Sequence, residues 1–76
     1  MVGHKPTRVT NRIRDLRTER SLTQAQLATA LGVTRQTVIA VEQGRYSPSL
    51  EMAFQIAHAL RLPLDEVFSY TPADPD

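Results

Sequence analysis

The stretch TQAQLATALGVTRQTV, residues 23 to 38, leaves a chain little freedom in what it can fold into. Thr23 can cap a helix while Gln26, three residues on, reaches back to the amide of the cap, a reciprocal capping box. Leu27, Ala28 and Leu31 then recur at helical spacing. Gly32 follows directly, placed to take the left-handed conformation that ends a helix. After only Gly32 and Val33, Thr34 caps another helix, whose far end is marked by Gly44. Two capped helices across so tight a turn form a helix-turn-helix pattern, which a plain αα-hairpin shares.

The flanks extend this reading. Ile13 and Leu16 stand at i, i+3 and predict a first helix ending near Ser21. Pro48 precedes a new cap at Ser49, and Glu51 puts negative charge in the first turn of a fourth helix. Leu50, Ala53, Ile56, Ala57 and Leu60 are its predicted buried stripe. After RLP, the segment LDEVF predicts a fifth, short helix with acids at its start and Leu64, Val67 and Phe68 as apolar residues. Nothing between Thr10 and Phe68 alternates with period two for long, so the expected fold is all-α with five helices. The expected limits are a flexible arm over 1–7, one domain over 8–71, and a disordered proline- and acid-rich tail over 72–76.

At 76 residues the chain is one domain at most. A domain this small buries only about 60% of its unfolded surface, which leaves no room for a large internal substrate cavity. It has no cysteine, which excludes a disulfide scaffold and a thiolate metal site and agrees with a reducing cytosol. His4 and His58 lie far apart and bring no second ligand cluster, and no nucleophile motif stands out. The expectation is no enzyme, no metal and no cofactor. No apolar run approaches the roughly 20 residues of a membrane span, and the start MVGHKPTRVT lacks the apolar middle of a signal peptide. The expected place is the cytoplasm, at the nucleoid, with no membrane and no small-molecule ligand.

A formal net charge of +1 hides an asymmetry. Residues 1–45 carry eight Lys and Arg against three acids, whereas residues 46–76 carry Arg61 alone against five. The basic half can face a polyanion, although a solvated surface has the same composition. The third helix narrows the choice. At 100° per residue, Val38 and Val41 fall on one face and Arg35, Gln36, Ile39 and Ala40 on the other. Arg35 stands at the first helical position, where the macrodipole favours a carboxylate. An arginine and an amide at that end are placed as a recognition helix places its base-reading residues.

Residues 13–68, IRDLRTERSLTQAQLATALGVTRQTVIAVEQGRYSPSLEMAFQIAHALRLPLDEVF, resemble the Cro/repressor-type helix-turn-helix family, also called the XRE family, in caps, glycines and core positions. TRQT, YSPSL and PLDEVF are similar to segments of its small stand-alone dimeric repressors, including the cytolysin-repressor type. The resemblance implies a five-helix lambda-repressor-like domain that binds double-stranded DNA with its third helix in the major groove. In the subgroup, the N- and C-terminal segments also form a small antiparallel sheet.

The resemblance and the chemistry together assign candidate roles. Arg35 can bind guanine O6 and N7 and Gln36 adenine N6 and N7, each with two hydrogen bonds. Ala40 can pack on a thymine methyl or serve only as a good helix former. Ile39 departs from the family's small or polar residue and is either an apolar contact or a tolerated surface isoleucine. Gln24, Thr34, Thr37, Gln43 and Arg45 are candidates for phosphate contact or positioning, with Gln43 standing where the family commonly has Asn. Arg17 and Glu42 match family positions that form a partly buried ion pair bracing the recognition helix. Arg61 stands where the family often has Gly at a helix end. Val9, Leu64, Val67, Phe68 and Tyr70 are candidates for a homodimer interface, or they close the monomer core. The expected function is an operator-binding transcriptional regulator, in the first place a repressor. The alternatives are an antitoxin-type module with a regulatory protein partner and a restriction-modification controller.

Overall fold

A computed structural model describes residues 7–45 and 47–72. The expected tail, apart from Pro72, and the expected arm with His4, apart from Thr7, lie outside the described residues, as does Tyr46. The order of elements is β1 (Val9–Asn11), α1 (Ile13–Glu19), α2 (Gln24–Leu31), α3 (Arg35–Glu42), α4 (Leu50–Leu60), α5 (Leu64–Val67) and β2 (Phe68–Tyr70). Five helices thus surround one core, and the two ends of the domain meet in a two-stranded antiparallel sheet.

Each central helix starts as its sequence dictates. Thr23 Oγ1 accepts from the Gln26 amide at 3.0 Å while Gln26 Oε1 accepts from the Thr23 amide at 2.8 Å. Thr34 and Ser49 cap α3 and α4 by accepting from the amides of Thr37 and Met52. Leu22 and Val33, each just before a threonine cap, pack against the core that buries Leu27 and Val38, the fourth residue of α2 and of α3.

The helix ends share one device. The amides of Gly32 and Val33 donate to Thr29 and Ala28, and those of Gly44 and Arg45 to Val41 and Ala40. Ser21 with Leu22 and Arg61 with Leu62 repeat the pattern after α1 and α4. These are Schellman turns, and each needs a left-handed residue. Glycine supplies it at 32 and 44, where nothing lies within 4 Å of an added Cβ, so the backbone angle and not space calls for it. Ser21 (φ 54°) and Arg61 (φ 61°) take the same conformation with a side chain attached.

The core is Ile13, Leu16, Leu27, Ala28, Leu31, Val38, Val41, Ile56, Ala57, Leu60 and Val67. Leu50 departs from the expected stripe of α4. It is 67% exposed. As the first residue of α4 its side chain leans toward the helix start, beyond the end of the core, whereas Ala53, Ile56, Ala57 and Leu60 lie over it. The fifth helix also stops one residue earlier than expected, because Phe68 turns extended and enters β2. The strand register pairs Val9 with Tyr70, Thr10 with Ser69 and Asn11 with Phe68. Thr7 extends this end: its hydroxyl accepts from the Val9 amide and hydrogen-bonds with that of Ser47. Among the described residues no helix is long and apolar enough to cross a membrane.

Candidate nucleic-acid interface

The recognition-helix candidate is fixed from behind and at its end. Val38 and Val41 are 3% and 2% exposed and root α3 in the core. Arg17 and Glu42 are brought together: Arg17 Nε donates to Glu42 Oε2 at 2.7 Å and Nη2 to Oε1 at 3.3 Å. Their side chains are 12% and 5% exposed, so this pair is largely removed from water. Arg17 Nη1 also donates to the Leu22 carbonyl, and Gln24 Nε2 donates to Glu42 Oε1 at 3.1 Å. One carboxylate therefore ties α1, α2 and α3 together. Gln24 acts here as a brace for α3.

The front of α3 is different. The side chains of Arg35 and Gln36 are exposed and hydrogen-bond to no described residue. Ile39 and Ala40, half-buried, follow them on the same side. The hydroxyls of Thr34 and Thr37 lie 3.1 Å apart and hydrogen-bond with each other, which fixes both near the helix start. Gln43 and Arg45, just past the far end, are exposed. Arg35 shares a surface cleft with Thr23, Gln24 and Ala25 at the start of α2 and with Thr18 and Ser21 from the end of α1. The start of α2 is the positive end of a helix dipole, so a cation and a dipole converge on one cleft that suits an anion.

Two bracing residues escaped the sequence reading. Asn11 Oδ1 accepts from the Ile13 amide at 3.0 Å and its Nδ2 donates to the Val41 carbonyl at 2.9 Å. An Asn two residues before an apolar helix start is a legible turn signal, but its bond to a carbonyl 30 residues away is not. Arg20 Nε donates to the Leu60 carbonyl at 2.8 Å and its Nη1 to Leu16, binding the end of α1 to the end of α4.

The dimer candidates separate. Val67 is 1% exposed and belongs to the core of its own chain, so it has no surface left for a partner. Val9, Leu64 and Phe68 line a shallow apolar groove with Pro48, Leu50 and Ala53. Tyr70 is 66% exposed, and Phe54, one turn along α4 from Leu50, is 54% exposed. Leu50 and Phe54 are exposed apolar residues that the sequence analysis did not place among the dimer candidates, although an aromatic outside the buried stripe of a helix is a legible signal.

A family model described as helix-turn-helix matches residues 13–67, most of the chain. The chain belongs to the Cro/repressor-type helix-turn-helix family. Members of this family are DNA-binding transcriptional regulators and not enzymes, and the chain is a regulator of this type. It is 56% identical over 57 residues to an HTH-type transcriptional regulator of Methanothermobacter thermautotrophicus, covering 74% of this chain and 83% of that one. It is 41% identical over 59 residues to the cryptic phage CTXphi transcriptional repressor RstR of Vibrio cholerae, covering 78% of this chain and 53% of RstR. Among solved structures, it is similar to the restriction-modification controller protein C.AhdI from Aeromonas hydrophila. The TM-score is 0.67 and the identity 37%, over 71% of this chain and 82% of that one.

Proposed function

We propose that the chain is a transcriptional repressor that binds a near-palindromic operator as a homodimer, with α3 in the major groove. The observation that carries this reading is the contrast within α3: its end is held by Arg17, Gln24 and Asn11, while Arg35 and Gln36 at its start bond to no described residue. Arg35 then reads a guanine and Gln36 an adenine, each worth about 1–3 kcal/mol of discrimination. Ala40 and Ile39 offer methyl groups to thymine from the same side. Thr34, Thr37, Gln43 and Arg45 set the register on the sugar-phosphate backbone, and a phosphate seats in the cleft between Arg35 and the start of α2.

A domain this small reads few base pairs, and a second copy doubles its contacts. Val9, Leu50, Phe54, Leu64, Phe68 and Tyr70 supply the apolar face that the second copy covers. Two-fold dimers of this motif set their recognition helices about 34 Å apart, one turn of DNA. Repression follows from occupying DNA that polymerase needs, and the similarity to RstR supports that sign. The similarity to C.AhdI favours one second reading, a restriction-modification controller acting through the same site.

Selection of bound sites from random duplex DNA, paired with light scattering, tests the reading. The expected results are an enriched motif with two half-sites about one turn apart and a dimer mass that falls to monomer in Phe54→Asp. An unenriched pool overturns operator binding, and a concentration-independent monomer mass overturns the dimer.

A further inference from the structure

We propose that Asn11 is a positioning residue for DNA recognition, through which the terminal sheet sets the angle of the recognition helix. The inference rests on the operator-binding reading above. Asn11 belongs to β1, where it pairs with Phe68 of β2, a residue of the apolar groove. Its backbone is anchored by that pairing, and that of its neighbour Arg12 by its amide, which donates a hydrogen bond to the Val67 carbonyl at 3.0 Å. Its side chain then works in two directions. Oδ1 accepts from the Ile13 amide, one of the four unpaired donors at the start of α1. Nδ2 donates to the Val41 carbonyl, which already accepts from the Gly44 amide in the turn that ends α3.

The last turn of α3 is thus held from two sides. The Glu42 side chain is fixed by α1 and α2, and the Val41 carbonyl by the sheet. Two anchors separated around the helix resist rotation about its axis better than one, and rotation is the motion that swings Arg35 and Gln36 off their base edges. A small misplacement of reading groups weakens base contacts far more than contacts to phosphate, since only the former require bidentate geometry. The end of α2 provides an internal contrast. Its Gly32 turn has the same backbone bonds, but among the described residues no side chain donates to the Thr29 carbonyl that accepts from Gly32.

Asn11→Asp reverses the bond to Val41. It keeps the acceptor for Ile13, places a favourable charge at the start of α1, and replaces the donor to Val41 by an oxygen that the carbonyl repels. Two measurements decide. In free protein, the amides of Gly44 and Arg45 should exchange with solvent about five- to tenfold faster in Asn11→Asp, with Gly32 and Val33 unchanged. On DNA, the ratio of affinity for the selected operator to affinity for unrelated duplex should fall about five- to tenfold, while the salt slope stays as in wild type. The ratio cancels the uniform repulsion of the added carboxylate. Asn11→Ala, which removes both bonds without adding charge, should show the same loss of ratio with a lower melting temperature, and serves if the Asp variant does not fold. Unchanged exchange at Gly44, an unchanged ratio, or equal acceleration at Gly32 and Gly44 would overturn the role of Asn11 alone. A wild-type chain that binds every duplex equally would overturn operator reading and this inference with it.

Discussion

Both α2 and α3 run for eight residues, begin at a threonine cap and end in a turn with a left-handed glycine. They differ in what their first turns do. In α2, Gln26 bends back to the cap and Gln24 reaches across to Glu42, so both amides serve the fold. In α3, Arg35 and Gln36 occupy the first two positions and serve no described neighbour, and Arg35 opposes the helix dipole. Equal scaffolds with unequal use of polar side chains separate the residues that brace the domain from two whose side chains the described residues leave unbonded. In so small a domain, polar groups without structural work on an otherwise well-braced element are where a functional surface is to be sought.

The largest expected effect lies at the brace of α3. Glu42→Ala leaves the Arg17 guanidinium nearly buried without its partner and removes the acceptor for Gln24. Loss of such a pair costs about 3–5 kcal/mol, a drop in melting temperature of more than about 12 °C for a domain of this size. A melt at the wild-type temperature would show that α3 is held by packing alone. The caps come next. Thr23→Ala and Thr34→Ala should each cost about 1 kcal/mol in urea unfolding, because both helices rely on the same cap geometry, and Thr34→Ala, at the start of the reading helix itself, should weaken operator binding more than Thr23→Ala. The smallest effect concerns the helix ends that lack glycine. Arg61→Gly relieves a left-handed residue and should raise stability by roughly 0.5–1 kcal/mol, as a shift of the urea midpoint without a change in slope.

Much of this architecture could be read in the sequence, and the parts that could not have identifiable reasons. Caps and C-terminal glycines are local, so Thr23, Thr34, Ser49, Gly32 and Gly44 declared their helices within a few residues. The ends of α1 and α4 were harder, because Ser21 and Arg61 take a glycine's conformation without a glycine's identity. Leu50 followed the helical period and still lies outside, since periodicity reports the angle around a helix and not whether anything covers its first turn. Val67 likewise counted as apolar, but only packing showed it inside its own chain while Leu64 and Phe68 reach the groove. The exposed pair Arg35 and Gln36 was legible from position alone. The bonds of Asn11 and Arg20 were not, as each reaches a partner far along the chain that only the folded structure brings near.

We propose above all that the free first turn of α3 reads bases. The most direct test measures wild type and Arg35→Ala against the selected operator with each base pair replaced in turn. Wild type should lose about 1–3 kcal/mol when one guanine of each half-site is changed. Arg35→Ala should become indifferent at that position, keep the preferences set by the rest of α3, and melt at or slightly above the wild-type temperature. A variant that retains every base preference, or that loses affinity uniformly across all sequences, would contradict the claim and leave Arg35 as a phosphate contact or a bystander.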